Sequence, residues 1–383
     1  MLERGRKAWA FVTLLLAPVC LAAAYYAGRP SIRPASQGKP AGDARPPAAA
    51  EGREESPKLY PVRSGGKIGF IDRTGKLVIP PKFEFNQLWM GGVFSDGMAR
   101  TQVVTQERPG YCCRFGYINA EGRVVVEPQY WEARDFSEGL AAVLVGDRWG
   151  YIDKGGRTAL GPKWVAADSF SEGLAAVYED GVGHGYIDRT GRLAFKLEGV
   201  TAPGAFHEGL AQVVLGRGPD GGYFNREGRF EFGYIDREGR LAITGPFQKA
   251  ADFSEGLAAV QVGGKMGYID RAGRFAVTPA YDSAGSFADG SAVVGVGGKF
   301  WLIDRSGKKV ADCPALSCDF SEGLAPVEVG GRWGYVDRTG RMVIKPRFHE
   351  AYRFSGGIAK VKPSFDRVGY IDKTGKYVWK PSE

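Results

Sequence analysis

Acidic and basic side chains recur along this chain at a fixed spacing, and a regular array of charge could build a polyvalent site. An Asp or Asn opens a turn at Asp72, Asn119, Asp153, Asp188, Asp236, Asp270, Asp304, Asp337 and Asp372. A Lys or Arg follows the glycine of each turn, at Lys76, Arg123, Arg157, Arg192, Arg240, Arg274, Lys308, Arg341 and Lys376. Clustered carboxylates could bind cations or move protons. Here each acid stands in an Asp-x-x-Gly turn, a full period from the next. Its side chain there caps backbone donors two residues ahead, and the glycine takes a positive φ. The acids are therefore read as turn residues. The nine bases, with a second set inside the turns at Arg73, Lys154, Arg189, Arg237, Arg271, Arg305, Arg338 and Lys373, would line a ridge if all units stack in one orientation. Such a ridge could contact an anionic polymer or lipid headgroups. Its plainer use is to keep exposed turns soluble and edge strands from aggregating.

Other chemistry has less support. Glu138, Glu172, Glu208, Glu255 and Glu322 each precede a glycine in a second motif, Phe-Ser-Glu-Gly-Leu-Ala, and read as solvated turn residues or as partners across units. His184, His207 and His349 lack metal-site spacing. No nucleophile motif or phosphate-cradling loop stands in a strand-to-helix context. We expect no catalytic residue, no metal and no cofactor.

The elements that position these residues follow from the period. Most steps between successive turn acids are 33 to 35 residues, the signature of a repeat architecture. Two longer steps mark insertions, one holding Cys112 and Cys113 and the other spanning Gly216 to Phe232. The second motif keeps the same phase, at Phe94, Phe136, Phe170, Phe206, Phe253, Phe287, Phe320 and Phe354. In the unit Leu324 to Phe348, alternating Ala325, Val327 and Val329 make a strand that ends at Gly330-Gly331. Trp333 to Val336 make a second strand, and Met342 to Ile344 a third, closed by Pro346. Trp333 and Tyr335 project from one face and Val336 from the other, so both faces are apolar and each small sheet is expected to lie between neighbours about 10 Å away. Phe320 and Leu324 would fill the joint. The expected fold is all-β: about nine three-stranded antiparallel meanders stacked as an open or propeller-like array. Since propellers usually have four to eight blades and both ends show the same phase, the open form is favoured.

These residues resemble the WG-repeat family of bacterial repeat proteins, also called KWG repeats. Arg148-Trp149-Gly150 and Arg332-Trp333-Gly334 match its signature, while Ile68-Gly69, Phe115-Gly116, Met266-Gly267 and Val368-Gly369 keep only the glycine. The seventh unit departs furthest, with Phe300-Trp301-Leu302, so its joint is expected to be repacked. The resemblance implies a β-repeat scaffold and transfers no catalytic residue.

The flanks suggest a compartment. Arg4, Arg6 and Lys7 precede an uncharged run from Ala8 to Ala27, so residues 1–27 read as a signal peptide or a membrane-anchoring helix. The basic flank would stay cytoplasmic, placing the rest across the membrane. Residues 28–57, rich in Pro and Ala, read as a disordered linker, and residues 58–383 as the repeat array. Export permits disulfides, and Cys313 with Cys318 is the expected pair. Abundant glycine, 57 residues, beside a 12% aromatic share suits many tight turns between packed strands. The net charge of +8 is spread along the chain and gives only a weak pull on anionic surfaces.

These readings describe an exported, non-catalytic scaffold in the periplasm or at the cell surface. It would bind a protein or an anionic envelope polymer, with membrane contact through the N-terminal helix if uncleaved and no role for nucleic acid. A glycan-binding module using exposed Trp and Tyr is the alternative, and an enzyme with a site between the insertions a third reading.

Overall fold

The computed structural model describes residues 58–84, 92–105, 113–215, 231–313, 320–365 and 367–382, all within one compact unit, Glu54–Glu383. The expected helix at 1–27 and linker at 28–57 lie outside the described residues, as do Cys112, Cys318 and most of the second insertion.

Every regular element among the described residues is a strand, and these form nine small antiparallel sheets. We number the sheets as blades 1 to 9 by their middle strands: Lys67–Ile71, Cys113–Asn119, Arg148–Asp153, Gly183–Asp188, Glu231–Ile235, Lys265–Asp270, Lys299–Asp304, Arg332–Asp337 and Arg367–Asp372. Blade 6 shows the plan. Leu257–Val262 pairs with Lys265–Asp270 through a tight turn at Gly263-Gly264, both at positive φ, and Lys265–Asp270 pairs with Phe275–Tyr281. A short strand, Lys249–Ala250, adds to the free side of Leu257–Val262. It lies just after the last strand of blade 5, Leu241–Phe247, so each blade hands its chain directly to the next.

The signature glycine has a mechanical reason. A β-carbon on Gly334 would stand 2.4 Å from the carbonyl oxygen of Ile344 and 2.8 Å from the nitrogen of Pro346. The third strand bulges there, skipping register between the Tyr335↔Ile344 and Trp333↔Phe348 pairs, and its backbone passes against the bare glycine. Blade 7 is the counterexample: Trp301 replaces the glycine, and the third strand runs Phe300↔Cys313, Trp301↔Asp312, Leu302↔Ala311 without that bulge.

Packing between blades supplies the core. The middle-strand tyrosines are fully buried at Tyr117, Tyr151, Tyr186, Tyr234, Tyr268 and Tyr335. Each meets the phenylalanine of the next blade's second motif, with ring centroids 4.8 to 5.0 Å apart. Such a pair adds roughly 0.5–1.5 kcal/mol beyond area burial. Their hydroxyls donate to backbone carbonyls of the next blade, for example Tyr186 to Gly204 at 2.6 Å and Tyr268 to Gly285 at 2.7 Å.

The nine blades close into a ring, a nine-bladed β-propeller, rather than the favoured open array. Tyr370 of blade 9 donates to the Pro61 carbonyl of blade 1 at 2.8 Å, a counterpart of the tyrosine bonds that other blades make to their successors, here to the first strand. In return Tyr60 donates to the Ser355 carbonyl at 2.5 Å, and the Tyr60 and Tyr370 rings meet edge-on at 5.7 Å. Tyr60, Val62, Ile71, Ile358 and Tyr370 form one buried cluster. Matching phase at both ends does not oppose closure. It makes the trailing face of blade 9 complementary to the leading face of blade 1, with no blade shared between the ends.

Candidate functional site

The Asp-x-x-Gly turns and the second-motif turns lie at the same end of the strands, so they share one face of the ring. On it each turn acid works as expected. Asp72 Oδ1 accepts from the Thr74 backbone N–H at 2.8 Å, the Thr74 hydroxyl at 2.7 Å and the Lys76 N–H at 3.1 Å. Hydrogen bonding from the hydroxyls of Thr74, Thr190, Ser306 and Thr339 holds Asp72, Asp188, Asp304 and Asp337 below the usual carboxylate range. In blade 2, Asn119 Oδ1 makes the two backbone bonds with no charge.

The second-motif acids prove more than solvated turn residues. Asp96, Glu138, Glu172, Glu208, Glu255, Asp289 and Glu322 all sit at positive φ, between 52° and 56°. From there each carboxylate accepts the backbone N–H of the next blade's motif glycine: Gly139, Gly173, Gly209, Gly256, Gly290, Gly323 and Gly357. Where the motif has serine, its hydroxyl makes a parallel bond, as from Ser171 to the Phe206 carbonyl at 2.6 Å. One signal in the sequence, an acid one residue before a conformationally free glycine in seven of the nine units, foreshadows the bracket; the partner across the joint is visible only in three dimensions.

The two basic sets separate. Five of the eight inside the turns reach back to the bracket of the preceding blade. Lys154 pairs with Asp96 at 2.7 Å, Lys373 with Glu322 at 3.3 Å, Arg338 with Asp289 at 3.5 Å and Arg237 with Glu172 at 3.6 Å. Arg305 donates to the Glu255 carbonyl at 2.6 Å. They are braces. The residues after the turn glycine, Lys76, Arg123, Arg157, Arg192, Arg240, Arg274, Lys308, Arg341 and Lys376, are all exposed at equivalent places around the ring. Arg240, Arg274 and Arg341 fold onto their own turn acids at 2.7, 2.8 and 3.1 Å, and Arg123 lies 3.6 Å from Glu121. Lys76, Arg157, Arg192, Lys308 and Lys376 form no close ion pair among the described residues, though Lys76, Arg192, Lys308 and Lys376 lie near enough to their own turn acids to favour the charged carboxylate. The acids and bases of this face are close to balanced overall. The turn and bracket acids, however, accept from backbone N–H groups, while the bases after the turn glycine stand exposed; Glu121 and Glu238 add exposed acids to the turns of blades 2 and 5.

The remaining candidate residues are dispersed. Trp149 is buried and Trp333 half-buried, inside joints, where they offer no open stacking face to a sugar. His184, His207 and His349 lie in blades 4, 5 and 9. Cys313 is disulfide-bonded, while its expected partner Cys318 lies outside the described residues; Cys113 is buried. A cavity of about 340 Å³ between blades 4 and 5 is lined by Leu197, Val200, Leu215, Ile235 and Leu241, without a nucleophile or an acid–base pair.

Among solved structures the chain is similar to a eukaryotic initiation factor, at 14% identity and a TM-score of 0.46, covering 86% of this chain and 87% of that one. It is also similar to BamB from Moraxella catarrhalis, at 12% identity and a TM-score of 0.36, covering 84% and 93%. A third is the WD40 β-propeller domain of Doa1, at 11% identity and a TM-score of 0.30, covering 60% and 88%. No curated protein matches the chain. The model of the WG containing repeat matches residues 68–103, 115–149, 149–182, 232–265, 266–300, 319–333 and 333–362. Seven matches over more than half of the chain, on the units whose glycine admits the bulged strand, show that it belongs to the WG-containing repeat family.

Proposed function

We propose that this protein is an exported, non-catalytic scaffold that binds an anionic partner, an envelope polymer or an acidic protein surface, on the turn face of its ring. One observation carries the reading: nine Lys or Arg side chains stand exposed at equivalent positions, each rooted by a backbone N–H bond to its turn Asp or Asn. A folded ring presents them without a backbone ordering cost at binding, leaving only the side-chain one. Near-balance of charge on the face means that attraction acts at contact distance and not over tens of ångströms.

The test uses inorganic polyphosphate as probe and a variant with Lys308, Arg341, Lys376 and Lys76, on four adjacent blades across the closure, changed to Gln. Affinity should fall about tenfold or more at low salt and converge with wild type as salt screens the contacts. Equal binding by variant and wild type at low salt would reject the reading.

A further inference from the structure

Next to the exposed bases lies a second periodic feature that the binding of a soluble polyanion does not use. The residue after each exposed base is apolar in Leu77, Val124, Leu193, Leu241, Phe275 and Met342, and these side chains are 37–48% exposed. Their exposure follows from the joint. Two residues further on, Ile79 is fully buried under Gly122 of the next blade, whose β-carbon would stand 2.6 Å from it; Val277 lies likewise under Gly307. The first residue of the third strand therefore lies past the buried part of the joint, on the rim of the turn face, where close to half of its side chain stays exposed. A lone exposed aliphatic needs no explanation, but the same one in six of nine blades, each beside a cation, is a patterned surface.

We infer that the turn face docks on an anionic lipid bilayer, with the rim aliphatics and Phe275 entering the headgroup–acyl boundary and the neighbouring Lys and Arg meeting lipid phosphates. The inference rests on the anion-binding reading of that face and names its partner. Equivalent positions in a closed ring lie on a circle, so a planar target engages all of them at once, whereas a linear polymer reaches a few. Apolar side chains flanked by bases suit an interface that is charged at its surface and apolar just beneath.

The experiment uses the full chain with vesicles of phosphatidylcholine, with or without phosphatidylglycerol, carrying brominated acyl chains. Phe275→Trp reports contact as quenching above the wild-type background. Phe365→Trp, at a site 75% exposed on a hairpin at the opposite end of the strands, is the control. Expected is quenching at 275 but not at 365, in phosphatidylglycerol vesicles only. It should drop several-fold when Leu77, Val124, Leu193, Leu241 and Met342 become Ser, and also in the four-site Gln variant. Polyphosphate binding by the Ser variant should stay at the wild-type level, which also reports that it is folded. Quenching that ignores the Ser substitutions, or that is absent at 275 while polyphosphate still binds, overturns the inference and leaves the anion-binding reading standing. Loss of polyphosphate binding by the wild-type chain removes both.

Discussion

At the scale of the residue, the turn acids link stability to pH. Hydroxyl and backbone donors hold Asp72, Asp188, Asp304 and Asp337 below their unfolded values. A depressed carboxylate contributes stability that is fully present above its unfolded pKa, about 3.9, and is lost as pH falls through its folded value. The ring should therefore weaken in acid below about pH 4. Asn119 shows that an amide oxygen makes the same backbone bonds without a proton to gain. Changing these four aspartates to Asn should flatten the fall in urea midpoint between pH 7 and pH 3; an unchanged pH profile would remove the turn acids as its source.

At the scale of the element, the unit of stability is the joint, not the blade. Glu172 accepts from Gly209 at 3.0 Å and faces Arg237 at 3.6 Å, linking blades 4 and 5. Glu172→Ala leaves that N–H without its acceptor and keeps a β-carbon at φ 52°, so a loss of roughly 1–3 kcal/mol is expected. Glu172→Gln keeps an oxygen and gives up a partly exposed ion pair, for a loss under about 1 kcal/mol. Tyr186→Phe should cost about 1 kcal/mol by orphaning the Gly204 carbonyl while leaving the ring packed. Urea unfolding would order the three, and equal losses for Ala and Gln would show that the carboxylate does not bridge the blades. Blade 1 already carries Phe70 at the tyrosine position, and blade 7 carries Leu302.

At the scale of the whole molecule, the joint between blades 9 and 1 is built differently. Gly356 stands at φ 64° where seven other blades carry an acid, and a β-carbon there would lie 2.2 Å from the Tyr60 hydroxyl oxygen. Tyr60 thus takes the place of the bracket. Burial chiefly pushes its hydroxyl up to about 12, so it stays a neutral donor to Ser355 through the physiological range. Tyr60→Ala removes both the bond and the ring packing on Tyr370, and a loss of about 3 kcal/mol is expected. Because each blade touches only its neighbours, the damage should stay local: hydrogen exchange should rise first in blades 1 and 9 and spare blades 4 to 6. Uniform acceleration around the ring would refute a weakened seam.

What the residues determined alone is whatever every unit repeats: strand limits from alternating apolar positions, the Asp-x-x-Gly turns, the joint-filling Phe320, and the glycine that lets a neighbouring backbone approach. These are local and recur in nearly every unit, so each copy corroborates the others. The tertiary structure decided what passes between units. Closure depends on a small rotation at each joint, set by side-chain volumes and summed over nine joints, and no period reveals that sum. Likewise the Glu of one blade and the Gly it holds are more than thirty residues apart, for example Glu138 and Gly173, so their bond is unreadable until the sheets lie side by side. The division of labour between bases that brace a joint and bases that face outward has the same origin. Within the turn both kinds look alike, and only the neighbouring blade tells them apart.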